Sequence, residues 1–152
     1  MAKARWCWAV LADETRAKLL HCGPTEMGRP HIKQVETLQF EWAGHEHGRP
    51  SPLKAKNGHT HAAEGHEKEE DRRRFAQTLA DWIEKQLHHR GIDRLTVFGP
   101  PRFLGALRRA WPDRLAERIR EHPHELINLP NPELHQHPAI RELIGLPTNN
   151  RV

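Results

Sequence analysis

Arg94-Leu95-Thr96-Val97-Phe98-Gly99-Pro100-Pro101-Arg102-Phe103-Leu104-Gly105 decides how this chain folds. Residues 94–98 are short, dense and apolar, the composition of a strand covered on both faces, and such strands belong to parallel sheets flanked by helices. Gly99-Pro100-Pro101 ends the run. Pro101 has a fixed φ and no N–H, which suits the first position of a helix reaching about Ala110. A parallel strand needs a crossover connection, so the chain reads as α/β.

Working back from this stretch, Phe75, Leu79, Ile83 and Leu87 fall at four-residue steps. They predict a long amphipathic helix over about His66–Arg90, with Gly91 as its stop. Acidic residues from Glu67 to Asp71 and basic ones from Lys85 to Arg90 suit the helix dipole at the two ends. Further upstream, Arg5–Ala12 and Arg16–His21 read as a hairpin across the turn Asp13-Glu14-Thr15, and Ile32–Phe40 as a third strand. Downstream, Pro112 ends the helix of Pro101. Asp113–Glu121 reads as another helix, Glu125–Leu129 as a last strand, and Pro132–Ile144 as a final helical stretch interrupted by Pro138. The expected fold is one domain over residues 1–152. Its mixed five-stranded sheet has three antiparallel strands followed by two parallel ones, in a ribonuclease-H-like three-layer arrangement.

The 152 residues suit one core, with 36% hydrophobic and 29% charged residues. The formal charge of +4 and pI of about 9.4 are compatible with nucleic-acid contact. No apolar run approaches the roughly 18 residues that would span a bilayer. The apolar stretch after the basic N-terminus breaks off at Asp13, too early for a secretion signal, so a cytoplasmic location is expected. Cys7 and Cys22 are then expected to be reduced.

Residues 41–65 hold four glycines, two prolines and four histidines, and predict a long mobile loop. Within it Arg49, Lys54 and Lys56 can neutralise phosphate, and Asn57-Gly58-His59 allows a close backbone approach; a solvated loop is the plainer alternative. Arg102, at the carboxyl end of a parallel strand, and Arg108 are further anion-binding candidates. Phe103 and Leu104 are expected to pack. Histidines recur in pairs, and His59, His61 and His66 form the best candidate group for a divalent metal, although zinc demands three or four converging ligands; otherwise no cofactor is expected. Asp13 reads as a turn residue. A two-metal nuclease needs several gathered carboxylates, which the strands do not offer. Arg72-Arg73-Arg74 is expected to pair with the neighbouring acidic residues.

Two segments, Ala12-Asp13-Glu14-Thr15-Arg16-Ala17-Lys18-Leu19-Leu20 and Phe98 to Arg108, with Arg74-Phe75-Ala76 between them, resemble the bacterial host-attachment protein family. The likeness extends from about Trp6 to Leu143. That family is similar to the catalytic middle domain of class-1 peptide release factors, which implies a ribonuclease-H-like fold and an action on ribosome-bound peptidyl-tRNA. Three positions depart from the pattern. Glu14 stands where the family usually has glycine. His124-Glu125 replaces a common Lys-Asp pair. Asn57-Gly58-His59 occupies the loop where release factors carry Gly-Gly-Gln.

The leading functional reading is a module that engages tRNA or ribosomal RNA. Catalysis stays open, with Asn57, Gly58 and His59 as the candidates for hydrolysing a peptidyl-tRNA ester. The alternatives are a protein-interaction factor in host attachment or surface behaviour, and a histidine-rich metal-binding domain. A monomer or weak homodimer is expected.

Overall fold

The computed structural model describes residues 5–40 and 60–147, with backbone alone for 60–67. Strands β1 (Cys7–Ala12), β2 (Arg16–Pro24) and β3 (Pro30–Gln39) come first. Helix α1 (Thr60–Arg90) is followed by β4 (Leu95–Phe98), α2 (Pro101–Ala110), α3 (Asp113–Ala116), β5 (Ile119–His122), α4 (Asn131–Gln136) and α5 (Pro138–Ile144). The sheet order is β3-β2-β1-β4-β5. The first three strands pair antiparallel, and β4 runs parallel to both β1 and β5. The mixed five-stranded sheet is therefore the expected one.

Alternation along the strands builds two cores. Val10, Ala12, Ala17, Leu19 and Val97 meet α1 and α2 through Phe75, Leu79, Ile83, Phe103 and Leu107. On the opposite face Ala9, Leu11, Leu20, Cys22 and Phe98 meet Leu126, Ile127, Leu134, Ile140 and Ile144. Helices thus cover both faces, in three layers. Val35 is an extra residue in β3, because Leu19 pairs Glu36 while Leu20 pairs Gln34. Such a bulge bends the outer strand without turning its neighbours inside out.

Three boundaries differ from the sequence expectation. The long helix starts at Thr60, so residues 60–65 belong to it and not to the loop assigned to 41–65. Gly65, taken as the end of that loop, lies inside the helix, where one glycine costs only about 1 kcal/mol. At the other end Gly91 does stop the helix, with φ +63 and Ile92 N donating to Leu87 O at 3.0 Å. The last strand is Ile119–His122 and not Glu125–Leu129, and the helix expected over Asp113–Glu121 ends after one turn at Ala116. Arg118 explains both. Its side chain donates to the carbonyls of Ile92 and Asp93, and its own carbonyl accepts from Leu95 N at 2.9 Å. These bonds pull the chain alongside β4 before the apolar residues arrive. Leu126 and Ile127 are buried in a turn instead, filling the second core.

The interruption at Pro138 is as expected, and His137 caps the helix that follows. Its Nδ1 accepts from Ala139 N at 3.1 Å. Burial, and then the neighbouring His124, push its pKa below the usual imidazole value. Cys7 and Cys22 face each other across β1 and β2 as free thiols, pushed up by burial to about 11 and about 12.

Two outcomes follow from this packing. Phe75 is fully buried and stacks on Phe103 with ring centroids 5.5 Å apart. Phe75→Ala should lower the unfolding free energy by about 3–5 kcal/mol in urea titration, and a loss below about 1 kcal/mol would contradict the packing described. The depressed pKa of His137 means that protons favour the unfolded chain. Its contribution is complete above about pH 6.5 and is lost as pH falls below that value. His137→Asn keeps a cap acceptor but removes the titration. The variant should show a shallower fall in Tm between pH 7 and 5 than the parent; parallel slopes would exclude His137 from the acid response.

Candidate polyanion-binding groove

Pro100 and Pro101 set the start of α2. Pro100 is extended (φ −64, ψ 143) and Pro101 takes the first helical position. Leu104 N then closes the first turn on Pro100 O at 2.9 Å. The buried side of α2 is Phe103, Leu104 and Leu107, as expected from the sequence. That leaves Arg102, Ala106 and Arg109, at steps of four and three, on one adjoining stripe. The stripe faces α1, whose Glu69, Arg72, Arg73 and Gln77 form the other wall of a groove of about 590 Å³. The small side chains of Ala106 and Ala110 make its floor.

The groove is basic because of how its arginines are paired. Arg72 is fixed, with Nε 2.9 Å from Glu14 Oε1 and only 14% of its side chain exposed. Arg73 and Arg74 both turn to Glu70 on the preceding turn, which is the pairing expected of this run. Arg102 and Arg109 have no acidic partner among the described residues. Two guanidiniums, each a planar fork of donors, are therefore left to meet an anion from one side of the groove. Gln77 stands opposite as a neutral donor and acceptor, although it also donates to Asp81 at 3.2 Å.

The other candidates fall elsewhere. Arg108 is clamped by Glu121 in a bidentate pair, Nη2 to Oε1 at 2.6 Å and Nε to Oε2 at 3.1 Å. That bond raises its pKa further. It does not join Arg102 in the groove. Arg49, Lys54, Lys56, Asn57, Gly58 and His59 lie outside the described residues. His61 and His66 lie in the first turns of α1, where the backbone alone is described. Two of the other histidine pairs do converge. His122 and His124 have ring centroids 5.6 Å apart, and His124 and His137 5.8 Å. Among the described residues, however, no three His, Cys, Asp or Glu side chains are placed to hold a metal ion.

Asp13 is a turn residue, as expected. Its Oδ1 accepts from Thr15 N at 2.7 Å, Arg16 N at 2.9 Å and Thr15 Oγ1 at 3.0 Å. Glu14, one residue on, reaches across to Arg72 and so ties the hairpin to the groove. Arg109 is the groove residue that motif reading passes over. Its signal is the seven-residue spacing from Arg102, two turns along the same helix face.

No helix of the described residues is long and apolar enough to cross a membrane. None of the curated proteins compared matches the sequence. The model of a family described as "Protein required for attachment to host cells" matches residues 8–137, from β1 to the residue that caps α5. The match takes in the sheet apart from Cys7, the first residue of β1, and both walls of the groove, and the chain belongs to this host-attachment family.

Proposed function

We propose that the chain is a nucleic-acid-facing module, and that the groove between α1 and α2 engages the sugar-phosphate backbone of tRNA or ribosomal RNA. One observation carries the reading. Arg102 and Arg109 share one face of α2 with no acidic partner among the described residues, over a floor of alanines that lets a backbone approach. Arginine forks match phosphate oxygens in geometry as well as charge. The formal charge of +4 supplies attraction at longer range. Three layers with a mixed sheet agree with the ribonuclease-H-like, release-factor-like reading of the family. The proposal concerns binding. The candidates for ester hydrolysis, Asn57, Gly58 and His59, lie outside the described residues, and no step is assigned to them.

Co-sedimentation with ribosomes and binding to purified tRNA across a salt series test the reading. The Arg102→Ala/Arg109→Ala variant should lose at least about tenfold in affinity, since hydrogen bonds from charged groups contribute about 1.5–3 kcal/mol each. Its dependence of log affinity on log salt should flatten by roughly 1.4 to 1.8 for two lost phosphate contacts. Arg114→Ala, whose guanidinium pairs with Glu84 away from the groove, should bind as the parent does. Parent-like affinity and salt slope in the double variant would sink the proposal.

A further inference from the structure

At the far end of α1, where Gly91 stops the helix, the sheet face is left open and carries a ladder of rings. Trp6 and Trp8 stand two residues apart on β1 and its approach, so they share a face. His21 lies directly opposite Trp8 in the β1–β2 register. Its imidazole stacks on the Trp8 indole at 4.1 Å and 13°. The Trp6 ring meets His21 at 4.8 Å and His31 at 5.7 Å. On the other flank the Arg90 guanidinium sits 5.9 Å from the centre of the Trp8 ring while also pairing with Glu36. The contacts run in sequence from His31 to Trp6, His21, Trp8 and Arg90.

The backbone is shaped for this. A Cβ on Gly23 would lie 2.1 Å from a ring atom of Trp6, so the indole rests on bare β2 backbone that no other residue could provide. With one face seated there, Trp6 is still 46% exposed. Among the described residues only Met27 is another large apolar side chain left so open. Burial, followed by the charge of Lys33 opposite it on β3, lowers the pKa of His21, which favours the neutral form of the ring between the two indoles. The surface thus combines π faces with a flanking lysine and arginine.

We infer that this ladder is a stacking platform for the unpaired bases of a single-stranded RNA segment, with Trp6 as the principal stacking ring and Lys33 meeting the adjacent phosphate. The inference rests on the RNA reading above and adds a second, base-dependent site to it. Bases offer π faces that stack on indole and imidazole, while the charge between them matches Lys33. Eighteen residues of helix separate Arg72 from Arg90, about 27 Å. The platform and the groove are therefore distinct contacts, the groove beside the middle of α1 and the platform at its C-terminal end.

The test compares a short uridine oligonucleotide with an abasic oligonucleotide of equal length and charge, by tryptophan fluorescence and by direct binding. Trp6→Ala should weaken the uridine oligonucleotide about five- to 150-fold, the range of one base stacked on an aromatic ring. It should leave the abasic one unchanged. Trp6→Phe should restore most of the binding. Gly23→Ala, which lifts the indole off the strand, should behave like Trp6→Ala, and thermal melting of each variant reports its folding. Equal effects of Trp6→Ala on both oligonucleotides, or no effect on either, overturn the platform while leaving the groove standing. Failure of the parent to bind either oligonucleotide at low salt overturns both. A fluorescence response to a neutral oligosaccharide, with none to the uridine oligonucleotide, would make the ladder a sugar site and also overturn the inference.

Discussion

The contact between Phe75 and Phe103 is the constraint on which the functional geometry depends. Both rings are fully buried, and Phe40, just past the end of β3, packs on Phe75 at 5.3 Å. This cluster fixes α1 against α2 at one height and one rotation. Once Phe103, Leu104 and Leu107 are turned to the sheet, helical geometry leaves little choice about where Arg102 and Arg109 go. The groove is thus a consequence of core packing. Its polar residues are placed by apolar neighbours that make no contact with any ligand.

Charge pairing then decides which arginines are available. Among the described residues, seven of the arginines on or beside the helices bind acidic residues: Arg72, Arg73, Arg74, Arg90, Arg108, Arg114 and Arg118. Most of these pairs are exposed and contribute little to stability. Their effect is to remove guanidiniums from the field that an anion meets. Glu14 is the telling case. The family resemblance leads one to expect glycine there, and a glycine would leave the guanidinium of Arg72 in the groove without its partner. In this chain the carboxylate ties Arg72 down, and the groove's arginines without an acidic partner among the described residues are Arg102 and Arg109 of α2.

The sequence made the sheet legible because the strands are short and their periods clear. Arg94–Phe98 with its Gly-Pro-Pro stop could only be a buried strand entering a helix, and the stripe Phe75-Leu79-Ile83-Leu87 could only be a long helix. What failed was the edge. β5 is Ile-Arg-Glu-His, nearly all polar, since an edge strand pairs on one side only and stays wet. Leu126-Ile127 looked more like a strand and is a buried turn. Local pattern reports burial, and it cannot tell a ladder from a turn when both are buried. For the site, Arg102 was visible from its place after the fourth strand. Arg108 looked equivalent to it, and only the position of Glu121, thirteen residues away on the misplaced strand, separates the two.

The ring ladder was invisible for a related reason. Trp6, Trp8, His21 and His31 are scattered over 26 residues, and each alone reads as an ordinary strand residue. They meet only through register: Trp8 opposite His21, and Gly23 opposite His31. Gly23 is the clue that sequence could not interpret. A glycine inside a strand weakens it unless something must approach the backbone closely, and here that something is an indole. The same sheet face is covered by α1 over most of its length and bare beyond Gly91. Where that helix stops is therefore what separates a core from a surface. Leu19 and Val10 lie under the helix and are buried, whereas Trp6, only four residues from Val10 along the chain and on the same face, is left with nearly half its surface in water.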